Sequence, residues 1–114
     1  MRDITLYGLK TCDTCKKALK ALEAARYTVT YVDVRADGVP EGLLTAWLEE
    51  HGQALINTRS TTWRGLDEGQ RARAEEDPAG LLAEHPTLIK RPVIDANGAV
   101  TVGWTKPVQS GFGL

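Results

Sequence analysis

The stretch Thr11-Cys12-Asp13-Thr14-Cys15-Lys16-Lys17 holds both cysteines of the 114-residue chain, at the junction of two hydrophobic rhythms. Before it, Ile4, Leu6 and Gly8 interleave with Thr5 and Tyr7, the pattern of a short buried strand, and Gly8 opens a turn. After it, Cys15, Ala18, Leu19, Leu22 and Ala25 recur at three- and four-residue steps among lysines and a glutamate, the stripe of an amphipathic helix. Cys12 therefore falls at a helix N-terminus, where unpaired amides and the helix dipole favour a thiolate. That makes Cys12 the candidate nucleophile. Cys15, one turn on and on the same side, can attack a mixed disulfide at Cys12 and close a short bridge. Lys10, Lys16 and Lys17 add positive charge, but mobile and screened lysines weigh less than fixed amides.

Two other uses of the pair stay open on the residues alone: small buried hydrophobes, or half of a zinc site. A tetrahedral site needs further ligands, and the two histidines, His51 and His85, lie far from metal-site spacing. No metal is expected. Each histidine instead suits a helix C-terminus, His51 before Gly52 and His85 before Pro86.

The length fits one compact domain, residues 1–114, with a core of its own. Fourteen basic and 15 acidic side chains leave a net charge of −1, which gives no global pull towards nucleic acid or an anionic membrane. No apolar run approaches membrane-spanning length, and a strand begins too early to leave room for a signal peptide. A cytoplasmic location is the expectation, and in that reducing compartment a lone Cys-x-x-Cys is more often catalytic than structural.

Along the chain, Val29–Val34 reads as a second strand, completing a βαβ unit by about residue 35. Pro40 suits a first helical turn, and Leu43, Leu44, Trp47 and Leu48 form a stripe that stops at Gly52. Asp77-Pro78 is a further helix start, ended by Pro86, so residues 36–85 read as a mainly helical insert. Strand character returns at Pro92–Asp95 and Val100–Gly103, on either side of Ala96-Asn97-Gly98-Ala99, a hairpin turn. The hairpin must be antiparallel and the helix-linked first pair parallel, giving an α/β fold with a mixed four-stranded sheet. Lys106–Leu114 suggests a short last helix, weakened by Pro107, Gly111 and Gly113.

Taken in order, strand, Cys-x-x-Cys, helix, strand, helical insert, X-Pro and hairpin resemble the thioredoxin-like fold, built from 1–35 and 86–114 around the insert 36–85. Three segments are similar to the ArsC family, especially its Spx and YffB-like branches. They are Leu6-Tyr7-Gly8 with Cys12-Asp13-Thr14-Cys15-Lys16-Lys17-Ala18, then Asn57-Thr58-Arg59-Ser60-Thr61-Thr62-Trp63-Arg64, then Ile89-Lys90-Arg91-Pro92-Val93. The resemblance implies that Cys12 attacks the substrate, that Arg59 and Arg91 assist it, and that Thr11 and Pro92 help bind it, with the bond before Pro92 cis. Guanidinium forks suit oxyanions and thiolates because they give paired, charge-assisted hydrogen bonds. A third arginine of the family's arsenate reductases aligns with Trp104, which counts against arsenate.

The expected function is a thiol-dependent reductase in which Cys15 or glutathione resolves the adduct at Cys12. No bound cofactor is expected, and glutathione or a thioredoxin- or glutaredoxin-type protein would restore the reduced form. Substrates would be small oxidised thiols or oxyanions. One alternative is arsenate reduction with glutathione and glutaredoxin. Another is an Spx-like redox-sensing regulator that binds the RNA polymerase α subunit, although Spx proteins extend into a basic tail and this chain stops at Gly111-Phe112-Gly113-Leu114.

Overall fold

A computed structural model describes residues 3–114. In chain order the elements are β1 (Asp3–Gly8), α1 (Asp13–Ala24), β2 (Thr28–Asp33), α2 (Val34–Asp37), α3 (Glu41–His51), α4 (Thr61–Arg64), α5 (Glu68–Glu76), α6 (Pro78–Glu84), β3 (Val93–Ala96), β4 (Ala99–Val102) and α7 (Lys106–Gly111). Short 3₁₀ turns at Gly52–Leu55 and Pro86–Leu88 follow α3 and α6. They divide into two compact units: the chain up to Val34 together with Arg91–Leu114, and Arg35–Lys90.

The first unit is built on a sheet of order β2-β1-β3-β4. β1 and β2 run parallel because α1 carries the chain back between them, with Leu6 level with Tyr31 and Gly8 with Asp33. β3 is antiparallel to both β1 and β4. This is the mixed, thioredoxin-like α/β arrangement expected from the sequence. The hairpin turn is tighter than the sequence suggests. Ala96 and Ala99 pair as its last rung, leaving Asn97 (φ 54°) and Gly98 (φ 92°) as a two-residue turn whose twist matches the strands. β2 likewise ends at Asp33, and Val34 already begins a helical turn.

Period explains which face is buried. Ile4 and Leu6 of β1 and Ile94 of β3 meet Cys15, Ala18 and Leu22 of α1 in one apolar cluster. Truncating Leu22 there would cost on the order of 2–5 kcal/mol. Phe112 closes the same cluster from just beyond α7. Its ring meets Tyr27 edge-on at 5.6 Å and stacks on Trp104 at 6.4 Å, and its carbonyl accepts the Tyr27 hydroxyl. α7 forms despite Pro107 because that proline sits in the first turn, where no N–H is needed, and Thr105 caps the Val108 N–H.

The second unit is helical. α3 starts directly after Pro40, buries Leu44 and Trp47, and ends at Gly52, whose φ of 58° suits glycine. α6 packs against α3 and α5. Asp77 ends α5 and also caps α6, accepting the Gly80 N–H at 3.2 Å. Residues 86–90 belong with this insert rather than with the strands that follow. The reason is backbone pairing: Ile56 bridges to Ile89, and the Asn57 and Lys90 amides donate to the Leu88 and Leu55 carbonyls at 2.7 Å each.

Candidate active site

The turn between β1 and α1 is held by three hydrogen bonds, one within the turn and two to β2. The Leu9 carbonyl accepts the Cys12 N–H at 3.1 Å and the Tyr31 hydroxyl at 2.6 Å, while the Lys10 N–H donates to the buried Asp33 carboxylate at 3.1 Å. These bonds hold Cys12 at the N-cap of α1 in extended conformation, with its own carbonyl starting the helix through the Lys16 N–H. Cys12 is half-buried and Cys15 fully buried, both as free thiols. Cys15 fits because residue 8 is glycine. A Cβ there would lie 2.6 Å from the Cys15 Sγ and 3.1 Å from the Tyr31 hydroxyl oxygen.

The two sulfurs differ in ionisation. Burial by itself raises Cys12, but the Cys15 thiol and N–H and then the Arg91 guanidinium, all donating to its sulfur, bring it below the ordinary thiol value. Cys15 goes the other way. Burial, followed by its role as donor to Cys12, pushes its thiol up to about 11. Burial also raises the Tyr31 phenol, reinforced by the Cys15 sulfur beside it. The two thiols are thus shifted in opposite directions, with negative charge favoured on the more exposed Cys12 sulfur.

Arg91 is the predicted arginine that the structure brings to Cys12, carried by the segment just before β3. The Arg91–Pro92 bond is cis, and the buried Pro92 presents its carbonyl to the Gly103 N–H at 2.9 Å. Thr11 is exposed beside Cys12. Arg59 lies in the other unit with an exposed side chain. It belongs to a local turn in which its N–H donates to the Asn57 side chain and its carbonyl accepts the Arg64 guanidinium, both at 3.1 Å. Trp104 is half-buried against the core through Phe112, an apolar use of that position. Among the described residues no cluster of three or more His, Cys, Asp or Glu side chains is arranged to hold a metal.

Sequence reasoning missed Gly8, Leu9, Tyr31 and Asp33 as parts of this site. The signal available was register: a parallel pairing of β1 and β2 puts Tyr31 and Asp33 beside the end of β1, where the cysteine turn starts.

A thioredoxin-like unit with a half-buried, acidified thiol at a helix N-cap and a second thiol beneath it defines a thioredoxin-fold dithiol protein. The ArsC family model matches residues 7–108, and the chain belongs to that family. It is 44% identical over 112 residues to an uncharacterised protein of Haemophilus influenzae, covering 96% of this chain and 98% of that one. The solved structure of a protein called YFFB superposes with a TM-score of 0.87 at 35% identity, covering 95% of this chain and 96% of the other. The global transcriptional regulator Spx of Bacillus subtilis is 26% identical over 108 residues, 90% of this chain and 81% of Spx.

Proposed function

We propose that this chain is a cytoplasmic thiol-dependent reductase acting on small oxidised thiols. The Cys12 thiolate attacks one sulfur of a substrate disulfide, and the other sulfur leaves as a thiolate with the bonding pair. The Cys15 thiolate, or glutathione, then attacks Cys12 and releases the second substrate thiolate. Two electrons have passed to the substrate. When Cys15 resolves, the Cys12–Cys15 disulfide remains, and glutathione or a thioredoxin- or glutaredoxin-type dithiol reduces it. When glutathione resolves, a Cys12–glutathione mixed disulfide remains, and a second glutathione thiolate attacks its glutathione sulfur, freeing the Cys12 thiolate and leaving oxidised glutathione. The observation that carries this reading is the placement of the half-buried Cys12 at the N-cap of α1 with Cys15 buried one turn on, which goes with a lowered Cys12 and a raised Cys15 thiol. Arg91 stabilises the attacking thiolate, and Thr11 and the backbone before Pro92 line the approach of an extended substrate.

Arsenate reduction is the second reading, favoured by family membership and by the Arg91 guanidinium at Cys12. Against it stands Trp104, an aromatic ring in the place of a third arginine. The Spx relative supports a third reading, a redox switch that docks on the RNA polymerase α subunit. Purified protein offered arsenate, glutathione mixed disulfides and small disulfides, with glutathione or thioredoxin as donor, separates the first two. Disulfide turnover with weak arsenate turnover, the latter improved by Trp104→Arg, is expected. Efficient arsenate turnover unchanged by Trp104→Arg would put arsenate first. No turnover of any substrate, with capture of polymerase α, would favour the switch.

A further inference from the structure

Resolution asks an awkward thing of Cys15. Its sulfur is fully buried and its thiol is pushed up to about 11, yet the attacking species in disulfide exchange is the thiolate. The hydrogen bond that keeps the proton on Cys15 points at the Cys12 sulfur. Once Cys12 is in a mixed disulfide it carries no charge, and that hold is released. What then faces Cys15 decides how readily it ionises. Three groups do: the Leu9 N–H, the charge of Arg91, and the hydroxyl of Tyr31.

Tyr31 is the adjustable one. It stands on β2 level with Leu6, and its hydroxyl donates to the Leu9 carbonyl at 2.6 Å. The same oxygen neighbours the Cys15 sulfur, since a Cβ on Gly8 would lie 3.1 Å from the one and 2.6 Å from the other, and that sulfur helps to raise the phenol. A hydroxyl proton rotates freely about its C–O bond, and a thiolate is a stronger, charge-assisted acceptor than an amide carbonyl.

We propose that Tyr31 is a further catalytic residue of this dithiol site: its hydroxyl proton turns from the Leu9 carbonyl to the Cys15 sulfur as that thiol ionises, stabilising the resolving thiolate. Cys15 gives its proton to solvent and Tyr31 keeps its own. The Cys15 sulfur bonds to the Cys12 sulfur, the bond from Cys12 to the substrate sulfur breaks, and the pair leaves with the departing thiolate. The charged groups around the pair act on this step in both directions. Arg91 favours the Cys15 thiolate, whereas the Asp33 carboxylate faces Tyr31 and keeps the phenol protonated. Lys10 and Lys16 line, with Leu19 and Tyr31, a shallow groove of about 190 Å³ beside the phenol. The proposal rests on the reductase reading in taking Cys15 as the resolving thiol.

The test is single-turnover release of thionitrobenzoate from a mixed disulfide made at Cys12 of the full chain, followed by absorbance across pH. Tyr31→Phe should slow release roughly tenfold at neutral pH and move the midpoint of the profile up by about one pH unit. A fluorotyrosine at position 31, a stronger donor of nearly the same shape, should speed release at neutral pH, which keeps the test open if Tyr31→Phe folds poorly. Release by Tyr31→Phe at the parent rate, a slowing by one factor at every pH, or no acceleration by fluorotyrosine each overturns the role of Tyr31 and leaves the reductase reading standing. Release from Cys15→Ser at the parent rate overturns both the role of Tyr31 and that of Cys15 as the resolving thiol, whereas failure of Cys12 to form or turn over any mixed disulfide overturns the reductase reading itself.

Discussion

The strand-bearing unit and the helical insert hold their polar groups in different ways. In the first, the bonds that shape the site join distant parts of the chain: Tyr31 to Leu9, Lys10 to Asp33, and Tyr27 to Phe112. In the second, most are local. Ser60 caps α4 at the Trp63 N–H, Asp67 caps α5 at Gln70, Asp77 caps α6 at Gly80, and Arg71 donates to the Trp63 and Arg64 carbonyls. The helix start itself sets the two sulfurs one turn apart, and what the long-range contacts add is the seating of the cysteine turn on β2 and the approach of Arg91 and Tyr31 to those sulfurs. Local caps start and stop helices without needing the sheet at all. Changes in the first unit should therefore reach the thiol chemistry, and changes in the insert's caps should register as stability alone.

The largest expected effect is on turnover. Cys12→Ser should abolish disulfide reduction, a loss on the order of a thousandfold or more, because the thiolate is the nucleophile and a serine hydroxyl does not ionise near neutrality. Cys15→Ser should instead leave a trapped mixed disulfide, or activity that depends on added glutathione. Equal and complete loss in both variants, measured by turnover and by mass of the adduct, would make the intramolecular disulfide obligatory.

Gly8→Ala comes next. The added methyl meets the Cys15 sulfur at 2.6 Å inside a packed core, so one of them must move. A loss of roughly 1–3 kcal/mol in urea unfolding is expected, the usual range for overpacking, together with a rise in the Cys12 alkylation midpoint as the Cys15 donor is displaced. Destabilisation with an unmoved midpoint would show that Cys15 does not acidify Cys12.

A third prediction concerns alkaline stability. Cys15 is an acid raised in the folded state from the ordinary 9.0 to about 11, so between those values the folded chain binds more protons than the unfolded one. Stability from this group is thus intact below pH 9 and lost as pH rises towards 11, by an amount on the order of 2 kcal/mol. Cys12 has the opposite sign. Its folded value is lowered, so its contribution is present above the unfolded value and fades as pH falls through the folded one. Unfolding of the parent and of Cys15→Ala at pH 8 and pH 10.5 checks this, since the alkaline loss should be smaller in the variant. An equal loss in both would assign it to other groups.

The smallest effect tests the insert. Asp77→Ala removes the cap of α6 and a partner of Arg73, and should cost about 1 kcal/mol with no change in the Cys12 alkylation midpoint. A shifted midpoint would break the contrast between the units.

Much of this was legible in one dimension. The change from a two-residue to a 3.6-residue rhythm across Gly8 to Cys15 places a strand, a turn and a helix, and with them Cys12 at an N-cap. Asn97-Gly98 marks the hairpin, since two consecutive positive φ angles are cheap for those residues. Asp77-Pro78 marks the start of α6. These signals survive in sequence because each depends on neighbours a few residues away. What only the tertiary structure decided is the partnership of groups far apart in the chain. The tie of residues 86–90 to the insert is one case, the seating of Phe112 on Tyr27 and Trp104 another. The meeting of Tyr31, Gly8 and Cys15 is the third, and it sets the ionisation of the site. Sequence spacing names the two thiols, but their acidity depends on burial and on donors brought in by the fold, Arg91 among them, because a pKa is set by what surrounds a group in space.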